Sequence, residues 1–158
     1  MEFREALKAA LRESRNTLGK EGYFPNSGLC VFPAGSFSAE CWIVTFFHPA
    51  FNKVVQASVS GGGVEFKPPA TPIKPSTTEI KPSQIRSSSS KVFEKALSVF
   101  RESKLPLSQV ILTVDSRAWH ANFVTKSLQV VIIDLDLSGK VISSRTELLT
   151  REPVGLPS

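Results

Sequence analysis

Apolar residues in the first 18 positions recur at helical spacing. Phe3, Leu7, Ala10, Leu11 and Leu18 fall on one side, with charged side chains between them. The spacing predicts an amphipathic helix stopped by Gly19 and Gly22. The stripe returns as Val92, Phe93, Ala96, Leu97 and Phe100, with Ser90 as the expected N-cap and Pro106 forcing an end by about Lys104. Both segments contain Phe-x-x-Ala-Leu, at Phe3–Leu7 and Phe93–Leu97, an offset of 90.

Downstream of each stripe the chain turns β-branched and aromatic, broken by Gly, Pro and Ser, which predicts strands joined by tight connections. The first set falls near 28–33, 38–47 and 52–60, with a short one at 64–66; the second falls near 108–114, 117–125, 128–137 and 140–147. An offset of 77 pairs Trp42 with Trp119, Phe46 with Phe123, Val54 with Val131, Gly62 with Gly139 and Val64 with Val141. The expected fold is therefore α+β: two tandem repeats, each one helix packed on a small antiparallel sheet of three to four strands. The repeats span 1–66 and 91–150, separated by a linker at 67–90 and followed by a tail at 151–158. A repeat of about 65 residues has a thin core, so the two copies are expected to pack together, their sheets continuous or face to face.

The linker holds Pro68, Pro69, Pro72, Pro75 and Pro82, then Ser87 to Ser90, and writes Ile-Lys-Pro-Ser twice, at 73–76 and 80–83. Prolines deny backbone donors and favour extended conformers, so this stretch is expected to be a semi-extended connector that does not pack. It also carries the charge excess. The chain totals +5, yet residues 1–66 hold six basic and six acidic groups and residues 92–158 hold eight and seven. Residues 67–91 set Lys67, Lys74, Lys81, Arg86 and Lys91 against Glu79 alone. So dilute a field, with no aromatic in it, argues against nucleic acid.

With 41% hydrophobic and 21% charged residues, the composition suits an ordinary folded chain, and no apolar run approaches the 18 residues of a membrane helix. The opening Met1-Glu2-Phe3-Arg4 has no apolar core of the kind export requires, which makes cytoplasmic the default location.

The second stripe, the strand at 108–114, Trp119 on the next strand and Val130-Val131-Ile132-Ile133-Asp134-Leu135-Asp136-Leu137-Ser138-Gly139-Lys140-Val141-Ile142-Ser143 together resemble the PepSY-like domain, whose modules end in an acidic turn with Gly before a last strand. The resemblance implies a non-catalytic, extracytoplasmic module that inhibits or binds proteins, and a tandem layout similar to a β-lactamase inhibitor protein.

Few residues suggest chemistry. His48 and His120 occupy non-equivalent positions, and no nucleophile elbow accompanies either. Asp134-Leu135-Asp136-Leu137-Ser138-Gly139 starts like a calcium loop, but Arg145 stands where a bidentate glutamate belongs, so a hairpin turn is expected instead. Gly61-Gly62-Gly63 joins strands and does not lead into a helix. Cys30 and Cys41 flank a hairpin centred near Gly35 and Ser36, and two reduced, half-buried thiols are expected there. Neither a metal nor a cofactor is expected.

Strand alternation offers the one hint about binding. His120 and Asn122 alternate with Trp119, Ala121 and Phe123, which places the latter three under the helix. Transferred to the first half, that phase buries Trp42, Val44 and Phe46. It leaves Cys41, Ile43, Thr45 and Phe47 as an apolar outer face and the candidate protein-contact surface. Val55, Ala57 and Val59 break the correspondence by one residue, which calls for a bulge or a slip. The expected function is non-catalytic: a protein-binding or inhibitory module using sheet face and strand edges. The alternatives are a structural homo-oligomer, or an apolar ligand bound among Trp42, Phe46, Trp119 and Phe123.

Overall fold

The computed structural model describes residues 1–19, 22–33 and 37–149. The first stripe forms α1 (Phe3–Thr17), followed by β1 (Phe24–Pro33), β2 (Cys41–His48), β3 (Lys53–Ser60) and β4 (Gly63–Phe66). The second forms α2 (Ser89–Arg101), followed by β5 (Leu107–Asp115), β6 (Ala118–Thr125), β7 (Gln129–Asp136) and β8 (Val141–Leu148). Neither helix is long and apolar enough to cross a membrane.

The strands do not form two small sheets. They hydrogen-bond into one antiparallel sheet of eight, in the order β4-β3-β2-β1-β5-β6-β7-β8. This overturns the expected fold of two tandem repeats, each with its own helix-covered sheet. The joint is an antiparallel ladder between β1 and β5, from Ser27 opposite Asp115 to Pro33 opposite Gln109. Its cause lies in the backbone. Two separate sheets would each leave a long apolar strand, with Cys30 and Phe32 or with Val110 and Leu112, as an open edge whose donors and acceptors lack partners. Pairing the edges satisfies them and fuses the cores.

Both helices lie on the same face of this sheet, and one core runs beneath them. Its centre is Phe3, whose ring sits 5.1 Å from Trp42 and 6.1 Å from Trp119; the two indoles are 6.4 Å apart. Gly28 of β1 makes room for this arrangement, because a Cβ there would fall 2.1 Å from the Phe3 ring. Trp42, Val44, Phe46, Trp119, Ala121 and Phe123 all point inward, as alternation predicts. The misfit in the third strand also resolves. The β2–β3 hairpin closes at His48 opposite Lys53 with four residues between, whereas Thr125 and Gln129 bracket three, so Val55, Ala57 and Val59 still face inward.

The segment 67–90 is not the unpacked linker its prolines suggest. Val54 and Ala70 exchange two backbone bonds of 2.8 and 2.9 Å, the Asn26 amide donates to the Ser76 carbonyl at 2.8 Å, and the Ile80 amide donates to the Pro25 carbonyl at 2.8 Å. A single 3-10 turn follows at Pro82–Gln84, and Ile80 and Ile85 enter the helix-side core. Proline lowers the entropy lost on ordering, and each isoleucine gains about 1.5–3 kcal/mol on burial, which together favour packing. The segment ends where the two helices start. The Glu2 carboxylate accepts from the Ser89 and Ser90 amides, the Phe3 amide donates to Ser89 Oγ at 2.9 Å, and Ser88 rather than Ser90 is the N-cap. The expected tail at 151–158 lies outside the described residues.

Candidate functional site

Because both helices occupy one face, the opposite face of the sheet carries no helical layer among the described residues. The strands expose alternate residues there, and the registers align them in rows across the sheet. One row runs Ser58, Ile43, Leu29, Thr113, His120, Asp134. Toward the middle of the face Val31 is half exposed, and Leu29, Ile43 and Ile111 are partly exposed, giving an apolar centre that spans the β1–β5 ladder.

The candidate residues Cys41, Ile43, Thr45 and Phe47 all lie on this face, but not equally. Cys41 is exposed and Ile43 and Thr45 are partly so, whereas Phe47 is buried with its ring against Phe24, 5.8 Å away. Cys30 points to the helix side and is buried, so the two thiols sit on opposite faces and remain unbonded. Burial, and secondarily the nearby Cys41, push the Cys30 thiol up to about 11. The hairpin tip at Gly35 and Ser36 lies outside the described residues.

Beside the apolar centre stands a charged network. Asp115 closes the β5–β6 turn by accepting from the amides of Arg117 and Ala118 at 2.8 and 3.0 Å. Its other oxygen lies 3.7 Å from His120 Nε2. His120 Nδ1 lies 2.6 Å from Asp134 Oδ1. The second oxygen of Asp134 accepts from Ser143 Oγ at 2.8 Å and from Arg145 Nη1 at 3.2 Å. Asp115 and Asp134 together outweigh partial burial and raise the imidazole to about 9. Of the two contacts, the Asp134 one is within hydrogen-bonding distance and Asp115 is not, so Asp134 holds the ring and Asp115 adds field. Partial burial pushes both carboxyls up, but the imidazolium and the surrounding donors win and leave both below the ordinary aspartate value.

This geometry does not assemble a nucleophile. The Ser143 hydroxyl donates to Asp134 and not to His120, and an imidazolium between two carboxylates cannot accept a proton at neutral pH. The acidic turn forms the expected hairpin, held by Asp136 Oδ1, which accepts from the amides of Ser138 and Lys140, each at 2.9 Å. His48 stands far along the sheet, stacked on Phe51 at 4.5 Å in the β2–β3 turn. Trp42, Phe46, Trp119 and Phe123 are buried in the core under the helices.

A pH dependence follows. The folded pKa of His120 lies above 6.5, so its stabilisation is complete below pH 6.5 and fades as pH rises through about 9. The two aspartates act oppositely, contributing above 3.8 and losing their contribution as pH falls below it. We expect His120→Gln to cost about 1 kcal/mol at pH ~6, since solvent screens a ring that is over a third exposed, and close to nothing at pH ~10. Urea midpoints at both pH values check this, and an equal loss at each would show that the ion pairs contribute nothing.

His120 and its outward orientation were legible from alternation. Asp115 and the apolar residues of β1 and β5 were not singled out, and Arg145 was weighed only against a calcium loop, since their convergence depends on registers between distant strands; the opposed parity of Ile111 and Leu112 was the available signal.

No family model matches the chain, and no curated protein matches it. Among solved structures, the crystal structure of a "putative lipoprotein" from Clostridium difficile 630 is similar at 12% identity and a TM-score of 0.49, over 87% of this chain and 90% of that one. A likeness of that degree carries no argument about function.

Proposed function

We propose that the protein is a non-catalytic binding module that docks another protein on the helix-free face of its sheet. The observation that carries this reading is the asymmetry of the layers: eight strands, helices on one side, and on the other an apolar centre of Leu29, Val31, Ile43 and Ile111 beside the Asp115–His120–Asp134–Arg145 network. An apolar centre edged by charge is the layout of a protein interface, where burial gives affinity and charges fix register. His120, held as an imidazolium between Asp115 and Asp134, supports a recognition role over an acid–base one.

The test is differential capture. A partner retained by the wild-type chain is expected to be lost with Val31→Asp, which places a charge at the half-exposed centre. It is expected to be kept with Phe51→Asp, an exposed residue in the β2–β3 turn. A partner indifferent to Val31→Asp docks elsewhere.

A further inference from the structure

The two edges of the sheet are unlike. β4 is four residues long and is followed at once by Lys67, Pro68 and Pro69, whose prolines lack donors and blunt that edge. β8 is eight residues long, contains neither proline nor glycine, and is exposed from Ile142 to Leu148. A register shift near its start sets Ile142 apart, leaving a regular stretch from Ser143 to Leu148.

The direction of its backbone groups can be read from the ladder. The Leu149 amide donates to the Leu128 carbonyl at 2.8 Å, and in the same register Glu147 faces Val130, Arg145 faces Ile132 and Ser143 faces Asp134. Odd-numbered residues therefore turn their amides and carbonyls toward β7. Antiparallel alternation sends those of Ser144, Thr146 and Leu148 outward, where they meet no strand among the described residues.

We propose that this edge pairs with itself: a second copy of the chain adds its β8 antiparallel, about a twofold axis at Thr146. Thr146 then faces its counterpart and Ser144 faces Leu148 of the second copy, so outward groups meet outward groups. On the helix-free face Arg145 lies opposite Glu147 of the second copy, and the symmetry makes this contact twice. The charge pattern selects the centre. An axis at Arg145 or at Glu147 would set like charges against each other, and an axis at Ser144 would place Arg145 against serine. Arg145 is already held on this face, 3.2 Å from Asp134 and 3.2 Å from its own Glu147, so it reaches a neighbouring carboxylate while keeping Asp134. The pairing is independent of docking on the sheet face and extends that face across two chains.

Sedimentation velocity on the full chain, from micromolar to submillimolar, tests the proposal. The wild type is expected to be dimeric at the upper end. Thr146→Pro, which removes an outward amide and spares the β7 ladder, is expected to be monomeric. Arg145→Glu and Glu147→Arg place like charges across the axis, and each is expected to weaken the dimer by about tenfold or more. Mixing those two variants sets Glu against Arg at every charged position and is expected to restore dimers. Their circular dichroism confirms folding should the proline variant fail. A monomeric wild type, a dimer that tolerates Thr146→Pro, or a mixture that stays monomeric would each overturn the proposal. So would a dimer dissolved by Val31→Asp, which would move self-association to the sheet face.

Discussion

Phe3→Ala is expected to remove about 3–5 kcal/mol of unfolding free energy. Phe3 has no exposed surface, and its ring wedges between Trp42 and Trp119, one from each side of the β1–β5 joint. Truncation opens a cavity whose walls cannot collapse, since both indoles stand on paired strands and Gly28 offers no side chain to fill the space. Loss is also expected to be felt by the whole chain at once, because the ring touches both halves of a single core. Equilibrium urea unfolding followed by tryptophan fluorescence and by circular dichroism measures it. A loss under about 1 kcal/mol, or two separated transitions, would mean that the halves of the core are not coupled through this ring.

Ile80→Ala is expected to cost about 2–5 kcal/mol, while Ile73→Ala costs close to nothing. The pair is informative because both begin an Ile-Lys-Pro-Ser tetrapeptide. Ile73 is 93% exposed and Ile80 is fully buried. Identical local chemistry thus has opposite fates, set by the Ile80 amide bonding to Pro25 and by the start of the core beneath α1 and α2. Comparable urea midpoints for the two variants would contradict the packing of this segment.

Much of the fold was legible because short periods report local structure. The spacing of Phe3, Leu7 and Ala10 marked α1, and the alternation of Trp119, Ala121 and Phe123 sorted β6 into an inner and an outer side. Continuous sheets were one of the two expected packings, but which strands join them, β1 and β5, was not legible. Residues such as Cys30 and Leu112 pair across more than half the chain, and nothing in the composition of either strand distinguishes a partner in another unit from a sheet edge. The same blindness hid the candidate surface. Alternation put Phe47 on the outer side, but its burial depends on Phe24, which lay outside the strand predicted for that part of the chain. Ile80 and Ile85 were masked by the prolines around them, whose backbone effect outweighs a single side chain in any local reading.

The joint between β1 and β5 also governs how the protein assembles. Its ladder closes the long loop between Pro33 and Gln109, an entropic cost that must be met before any of its hydrogen bonds form, so folding is expected to be slowed at this step. Until then both strands offer bare edges, each complementary to the other. A crowded population of half-formed chains can therefore exchange halves, the β5 edge of one molecule completing the β1 edge of its neighbour. Dilution during refolding is the condition that favours closure within one chain.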